Sequence, residues 1–524
     1  MSTDPQPGVS DVRGRSPIRT WTRALWILAL FSVFVPLAMF AANAPRGASP
    51  MKFLFIAAVA WGSGAATVGA LAGPLGLQRA TGIGTALLLV FFSWQSLVEL
   101  GQGLSIPGWL ADWVGPIITL FLLIWASIRF GQTRGFGLAL ATVGLALVLT
   151  PLPGLASWVL LDRVSLDVRE SEVANQTDTQ PDVYFVVLDG YGRSDVLDAV
   201  YGYSNNPFLD GLAERGLMVP EGATANYSMT AASVASTLNM DYMVAPGTVP
   251  DHPLRLALYQ VIRGDNPVAR SLAAVGYEFV YIESGWDGSR CGRNVDTCYR
   301  SGFLDESSWA LLSRTPLAVP LEAWFGHAFA QNGLRALDEL TRVAGETSAG
   351  PRFVFAHVLL PHPPLILDGE CQVRPEPQPG GGAVGARFLA DSPALNDRKR
   401  AYVEQVQCTN TKILRFLDEL GDDSVVFLTG DHGPDSDGQP SLPPGEWTEV
   451  DRVERFGVFS AYRLPTGCEQ VEQDMDLING MRRLVGCVTG EELEPVPRRH
   501  LIFPTPDGDP YPTTEVELAT LSGG

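Results

Sequence analysis

Two textures divide the chain. From Ala24 to about Leu160 the residues are almost free of acid and base, whereas nearly all carboxylates lie from Asp162 onward. The first part contains apolar runs of about 18–25 residues, long enough to cross a bilayer as helices. Spans are predicted at about Leu25–Asn43, Phe53–Ala72, Ile83–Leu100, Val114–Arg129 and Phe136–Leu160. A basic tail precedes the first run, as in a signal peptide, but further spans follow, so that run reads as an anchor. Ionisable residues are nearly absent inside the spans, with Glu99 near an end. This favours a membrane anchor and platform over an ion or proton pathway, and disfavours a transporter. Trp109, Trp113 and Trp125 read as interfacial or packing residues.

Orientation follows from Lys and Arg. The N-terminal tail carries Arg13, Arg15, Arg19 and Arg23, the second connection Arg79, and the fourth Arg129 and Arg134. The third connection has no basic residue and contains Asp112, while Arg46 and Lys52 in the first dissent mildly. The balance puts the N-terminus in the cytoplasm, and an odd number of spans puts everything after Leu160 on the far side. The expected organisation is a cytoplasmic tail (1–23), a transmembrane domain (24–160), a polar linker (161–180), an extracytoplasmic domain (181–505) and a C-terminal tail (506–524).

Beyond the linker, short runs rich in Val, Ile, Phe and Tyr alternate with helical patterns. Val183–Leu188, Phe279–Ile282, Phe353–Ala356 and Val425–Leu428 are apolar throughout, as parallel strands buried on both faces are. Between Tyr402 and Leu420, Val403, Val406, Ile413, Leu414, Leu417 and Leu420 recur at helical spacing. The alternation predicts a doubly wound α/β domain with a mainly parallel sheet behind an all-α transmembrane bundle. In such sheets the carboxyl ends of the strands line the ligand crevice. Those ends deliver Asp189; Glu283 with Trp286 beyond it; His357 with His362 beyond it; and Asp431 with His432. Each alone reads more simply as a helix cap or a turn. Their convergence makes a metal site, and carboxylate with imidazole suits zinc or manganese.

Charge and cysteine content narrow the setting. The net charge of −20 belongs mostly to the second half, which argues against nucleic acid as partner. All 6 cysteines lie there too. An even set in one domain suggests disulfides and an oxidising compartment, with Cys291–Cys298 and Cys468–Cys487 as local pairs and Cys371 left with Cys408. Buried free thiols are the alternative. Zinc binding by cysteine is disfavoured, because no Cys-x-x-Cys spacing occurs.

The segment from Pro181 to Met240 resembles the opening of the alkaline phosphatase and sulfatase superfamily. It runs through a strand ending in Asp189-Gly190, then Arg193-Ser194-Asp195, Pro207 to Ala213, Arg215-Gly216 and the hydroxyl-rich Asn226 to Ser233. Gly430-Asp431-His432-Gly433 resembles the later metal-binding segment, and Arg455 to Pro465 the stretch after it. Membrane spans ahead of an exported domain resemble the layout of the lipoteichoic acid synthase and phosphoethanolamine transferase group. The formylglycine signature Cys-x-Pro-x-Arg of true sulfatases is absent.

The resemblance implies Asp189, Asp431 and His432 as metal ligands and Thr230 as both nucleophile and ligand, with Ser228 as the runner-up nucleophile. It implies His362 as a substrate-phosphate residue, while His357 either shares that role or packs internally. Trp286 and Arg290 are weaker candidates for headgroup contacts. The cofactor would be one divalent ion, manganese or zinc. The partners would be the membrane, a phospholipid headgroup donor and an envelope glycan or lipid acceptor. The leading expectation is a membrane-bound transferase of a phosphoglycerol- or phosphoethanolamine-type group through a phospho-threonine intermediate, in the cell (inner or plasma) membrane. A sulfatase-like hydrolase or phosphodiesterase of the same fold is the alternative, and a non-catalytic envelope-organising protein a third. The sequons at Asn175 and Asn226 read as coincidental.

Overall fold

A computed structural model describes residues 17–44, 50–102, 108–133, 135–161, 180–300, 302, 305–318, 331–378, 393–468, 471–504 and 511–519. The expected linker lies outside the described residues apart from its two ends, as do Asn175 and most of the C-terminal tail. The chain forms two units. One comprises residues 1–44, 48–159 and 307–321; the other comprises 45–47, 160–306 and 322–524.

The first unit is helical. Helices Pro17–Asn43, Pro50–Leu75, Gly108–Phe130 and Phe136–Leu149 correspond to four of the expected spans. The last of these continues beyond Thr150–Pro151 as Leu152–Leu161, where proline withholds an N–H from the helix. Among the described residues four helices are long and apolar enough to cross a membrane, or five if a bent pair is one span. That pair, Leu77–Phe92 and Trp94–Gly101, corrects the straight span expected at Ile83–Leu100: it bends by 71°. Ser93 leaves helical geometry there (φ −100, ψ 12), and Trp94 packs edge-on against Trp113 at 5.3 Å. Residues 307–321 group with this unit. Leu311 lies in its apolar cluster, and the Gln95 N–H donates to Arg314 O at 3.2 Å.

The second unit is a helix–sheet–helix sandwich. The strands of its main sheet are β1 (Val183–Leu188), β2 (Glu278–Ile282), β3 (Thr297–Tyr299), β4 (Arg352–Val358), β7 (Val425–Thr429) and β8 (Ser460–Arg463). The six lie in the order β3-β2-β4-β1-β7-β8. All neighbours are parallel except β8, which returns antiparallel to β7. Two small antiparallel pairs complete the unit: β5 (Leu365–Leu367) with β6 (Val373–Gln378), and β9 (His500–Ile502) with β10 (Thr514–Val516).

The unbroken apolar strands feed two cores through the period-two alternation of side chains. Val183, Phe185 and Val187 enter one core; Tyr184, Val186 and Leu188 enter the other. On the first face Phe279 stacks on Phe353 at 5.1 Å, and Phe185 lies between Phe355 at 5.3 Å and Phe427 at 5.2 Å. Each fully buried Phe stabilises by about 2–3 kcal/mol. Helices Thr230–Asn239 and Leu477–Thr489 cover this face, and Asn332–Ala344 and Pro393–Asp418 cover the other. Central β1, β4 and β7 all point their carboxyl ends the same way, so the residues just beyond those ends gather in one place.

Cys291 pairs with Cys298, Cys371 with Cys408, and Cys468 with Cys487. Asn226 is buried, donating to Tyr242 and Asp476 and accepting from the Ile478 N–H, so it is a structural amide and no glycan acceptor.

Candidate active site

Asp189 follows β1 directly, and the chain turns at once on Gly190, whose φ of +72 is a left-handed conformation that favours glycine. That turn points the Gly190 N–H at Asp431 Oδ1, 3.1 Å away, tying the end of β1 to the loop after β7. The same loop contains Gly433, where a Cβ would fall 1.9 Å from the Glu454 carbonyl oxygen. The loop is therefore pressed against the helix Glu449–Phe456, which fixes where Asp431 and His432 stand.

Asp189, Asp431 and His432 are all buried, and their ligating atoms lie within 4.8 Å of one another. His432 Nε2 is 3.3 Å from Asp431 Oδ2 and 3.6 Å from Asp189 Oδ1. Neither of those carboxylate oxygens has a hydrogen-bond partner among the described residues. The other ring nitrogen, His432 Nδ1, lies 3.0 Å from the Gly433 carbonyl oxygen. A carbonyl can only accept, so Nδ1 carries the proton and Nε2 presents its lone pair to the carboxylates. Burial, and then Arg455, push the His432 imidazole toward its neutral form. Burial opposes ionisation of Asp189, yet His362, His357 and His432 together hold its carboxyl well below the usual range. Two unpartnered anionic oxygens and an imidazole lone pair around one point fit a divalent ion and would be costly without one.

Thr230 completes this group. It is the first residue of the helix Thr230–Asn239, after extended Met229, and its Oγ1 lies 3.1 Å from His432 Nε2. The helix N-terminus favours negative charge at that hydroxyl. One turn on, Ser233 Oγ donates to the Asp431 carbonyl at 2.6 Å and clamps the helix to the loop. Ser228 lies elsewhere: it is buried, and its Oγ accepts the Phe503 N–H at 2.9 Å.

The remaining expected residues separate. His362 stands at the mouth of the site with its side chain 43% exposed, and its Nε2 lies 4.0 Å from Asp189 Oδ1. Its Nδ1 is bound to the Pro363 carbonyl oxygen at 2.5 Å, which leaves Nε2 facing the cleft. His357 is wholly buried, with Nε2 3.4 Å from Asp189 Oδ2 and its ring against Trp286 at 5.4 Å. Trp286 thus packs on the site from within. Arg290 is engaged with Asp305 at 2.5 Å and Asp287 at 3.8 Å. Glu283 accepts from the Cys291 N–H at 3.0 Å, and the cysteines beside it are joined to each other, so no thiolate is offered there.

Arg455 is a residue whose role the sequence does not suggest. Its Nε donates to the Ser228 carbonyl at 2.7 Å and its Nη1 to the Gly433 carbonyl at 2.9 Å, joining the two loops that carry Thr230 and His432. The signal in the sequence is its place at the head of the stretch from Arg455 to Pro465 that carries the resemblance, which gives it no role. Beside it opens a cleft lined by His362, His432, Arg455, Tyr201, Tyr402 and Arg398.

Comparison with known proteins bears on the whole domain. No curated protein matches the chain. Among solved structures it is similar to the C-terminal periplasmic domain of EcEptC from Escherichia coli, at 14% identity over 66% of this chain and 94% of that one, TM-score 0.40. It is similar to the integral membrane protein lipooligosaccharide phosphoethanolamine transferase A from Neisseria meningitidis, at 13% identity over 89% of this chain and 95% of that one, TM-score 0.38. It is also similar to a phosphonate monoester hydrolase from Silicibacter pomeroyi, at 17% identity over 60% and 74%, TM-score 0.41. The model of the sulfatase family matches residues 181–461, which run from the residues before β1 into β8 and carry Asp189, Thr230, His357, His362, Asp431, His432 and Arg455. That match spans more than half of the chain, and the chain therefore belongs to the sulfatase family and is a sulfatase-like enzyme.

Proposed function

We propose that this protein is a membrane-bound, metal-dependent transferase that moves a phosphoglycerol- or phosphoethanolamine-type group from a phospholipid to an envelope glycan or lipid, with Thr230 as nucleophile. The observation that carries the reading is the Thr230 hydroxyl at a helix N-terminus, 3.1 Å from His432 Nε2 and among two buried carboxylates with unpartnered oxygens. Asp189, Asp431, His432 and Thr230 would hold one divalent ion, manganese or zinc, which when bound supplies positive charge that lowers the proton affinity of a hydroxyl and screens an anionic phosphate.

Thr230 Oγ gives up its proton to solvent and attacks the phosphorus of the lipid headgroup. The bond from phosphorus to the diacylglycerol oxygen breaks, and that oxygen leaves with a proton. The headgroup phosphate stays on Thr230 as a phosphodiester. A hydroxyl of the acceptor then attacks phosphorus, loses its proton, and frees Thr230, whose Oγ takes a proton back from solvent. His362, held by Pro363 with Nε2 toward the cleft, is placed to donate to the leaving oxygen and to take the acceptor's proton in the second step. Ser233 and Arg455 keep the nucleophile and the ligand loop in register.

Apolar helices ahead of the catalytic unit support a donor that resides in the bilayer, since tethering raises the effective concentration of catalyst at the lipid surface. The three disulfides support an extracytoplasmic location for that unit, and the basic N-terminal tail supports a cytoplasmic N-terminus.

The test uses the full chain in vesicles containing head-labelled phosphatidylglycerol or phosphatidylethanolamine, with manganese or zinc supplied and no acceptor. The expected result is diacylglycerol release and a headgroup-phosphate adduct on the peptide containing Thr230, found by mass spectrometry. Free labelled headgroup phosphate without dependence on any added glycan would make the enzyme a hydrolase. Absence of both diacylglycerol and adduct, with metal bound, would refute the lipid donor.

A further inference from the structure

The buried imidazole of His357 has no task in the chemistry above. It is 0% exposed, and neither ring nitrogen has a hydrogen-bond partner among the described residues. An imidazole buried in this way is costly unless some attraction offsets it.

The sheet register supplies that attraction. β1 and β4 run parallel with Val187 opposite His357 and Leu188 opposite Val358, and the Asp189 N–H donates to the Val358 carbonyl at 2.9 Å. This sets His357 beside Asp189 across the strand pair. Nε2 stands 3.4 Å from Asp189 Oδ2, just longer than a formed hydrogen bond. The other oxygen, Oδ1, turns toward His432 at 3.6 Å and is unpartnered. The carboxylate is thus divided, with one oxygen on the histidine and one toward the candidate ion. Trp286 packs edge-on against the imidazole at 5.4 Å and closes it from solvent.

We propose that His357 is a positioning residue: through an Nε2–H donated to Asp189 Oδ2 it holds the carboxylate in the rotamer that presents Oδ1 to the divalent ion, and it never touches substrate. The opposite tautomer would face a lone pair against the carboxylate, so the contact itself selects the donor at Nε2. This assignment rests on Asp189, Asp431 and His432 being metal ligands. It separates His357 from His362, which shares its neighbourhood in sequence but opens to the cleft.

The experiment takes the full chain in detergent, stripped of metal, and measures manganese and zinc binding by calorimetry alongside steady-state hydrolysis of a chromogenic phosphodiester. In His357→Phe the shape is nearly kept and the donor lost. The expected result is a 10- to 100-fold weaker ion affinity, as for loss of other groups that orient a ligand, with KM for the diester unchanged at saturating ion. His357→Gln, whose amide N–H can reach the place of Nε2, should recover most of the affinity, and the shorter His357→Asn should not. The Gln and Asn pair also decides the matter should the Phe variant fail to fold. Wild-type ion affinity in His357→Phe, or a raised KM at unchanged ion affinity, would overturn the proposal and return His357 to substrate binding. A wild type that binds no ion at all would overturn the metal reading, and this assignment with it.

Discussion

Thr230 and Ser228 stand two residues apart, and the structure gives them opposite exchange rates between stability and activity. Thr230 opens a helix, is partly buried, and its hydroxyl meets His432 Nε2 at 3.1 Å. Replacing it with Ala removes one side-chain contact while supplying a better helix former, so the fold should change by no more than about 1 kcal/mol. If Thr230 is the nucleophile, turnover should fall by at least about 10³-fold, or about 4 kcal/mol of barrier. Ser228 is buried, and its Oγ accepts the Phe503 N–H at 2.9 Å. Ser228→Ala leaves that buried N–H unsatisfied, at a cost of about 1–3 kcal/mol in stability. Its carbonyl still receives Arg455, so the loop keeps its anchor and turnover should stay within a few-fold of wild type. The assay pairs thermal unfolding, followed by tryptophan fluorescence of the detergent-solubilised chain, with phosphodiester turnover at saturating metal. A stable but active Thr230→Ala, or an inactive Ser228→Ala with wild-type unfolding, would refute the assignment and move the nucleophile by two residues.

Three further outcomes are expected. Burial pushes the Glu454 carboxyl from its ordinary 4.5 up to about 7, only partly opposed by hydrogen bonds from Tyr201 and Ser436. The folded chain therefore holds a proton that the unfolded chain releases, and stability should fall by about 3 kcal/mol as pH rises through that window. Glu454→Gln should flatten this slope in unfolding temperature against pH, and an unchanged slope would sink the claim. Arg290→Ala breaks a largely buried pair with Asp305 and should cost about 3 kcal/mol of stability while leaving KM for the diester alone; a raised KM at unchanged stability would instead make it a headgroup contact. Chelation should abolish turnover and lower the unfolding temperature, since an ion at one hundred times its Kd stabilises by about 2.7 kcal/mol, and an unfolding curve indifferent to manganese and zinc would argue against the site.

The fold was largely legible because its signals are local. A strand buried on both faces must be apolar at every position, and β1, β2, β4 and β7 lie within a few residues of their expected limits for that reason. The helix expected at Tyr402–Leu420 runs from Pro393 to Asp418. Its first turns carry Asp397, Arg398, Lys399 and Arg400, so they show no apolar face and gave no periodic signal. The bend at Ser93 was not legible, because mean hydropathy is blind to a backbone that leaves the helix inside an apolar run. The grouping of residues 307–321 with the membrane helices is likewise a long-range packing choice, because a short apolar stretch does not say which unit it will join.

For the site, the sequence named residue types at strand ends but could not say which atoms face each other. His357 and His362 illustrate the limit. They stand five positions apart at the end of one strand, and the sequence offers both for one role, with internal packing as the alternative for His357. Their fates diverge because β4 runs one residue beyond His357, so pairing with β1 seals the first ring inside the sheet edge, while the chain leaving at Val358 carries the second into the open. The same rule separates Ser228 from Thr230: one hydroxyl is consumed by the backbone at Phe503, and the other opens a helix beside His432. Arg455 went unassigned because its work is done on two carbonyl oxygens, at Ser228 and Gly433, and backbone acceptors leave no mark in a sequence. A candidate list taken from strand ends therefore locates the crevice, and the hydrogen-bond partner of each side chain then decides which candidates remain free to act.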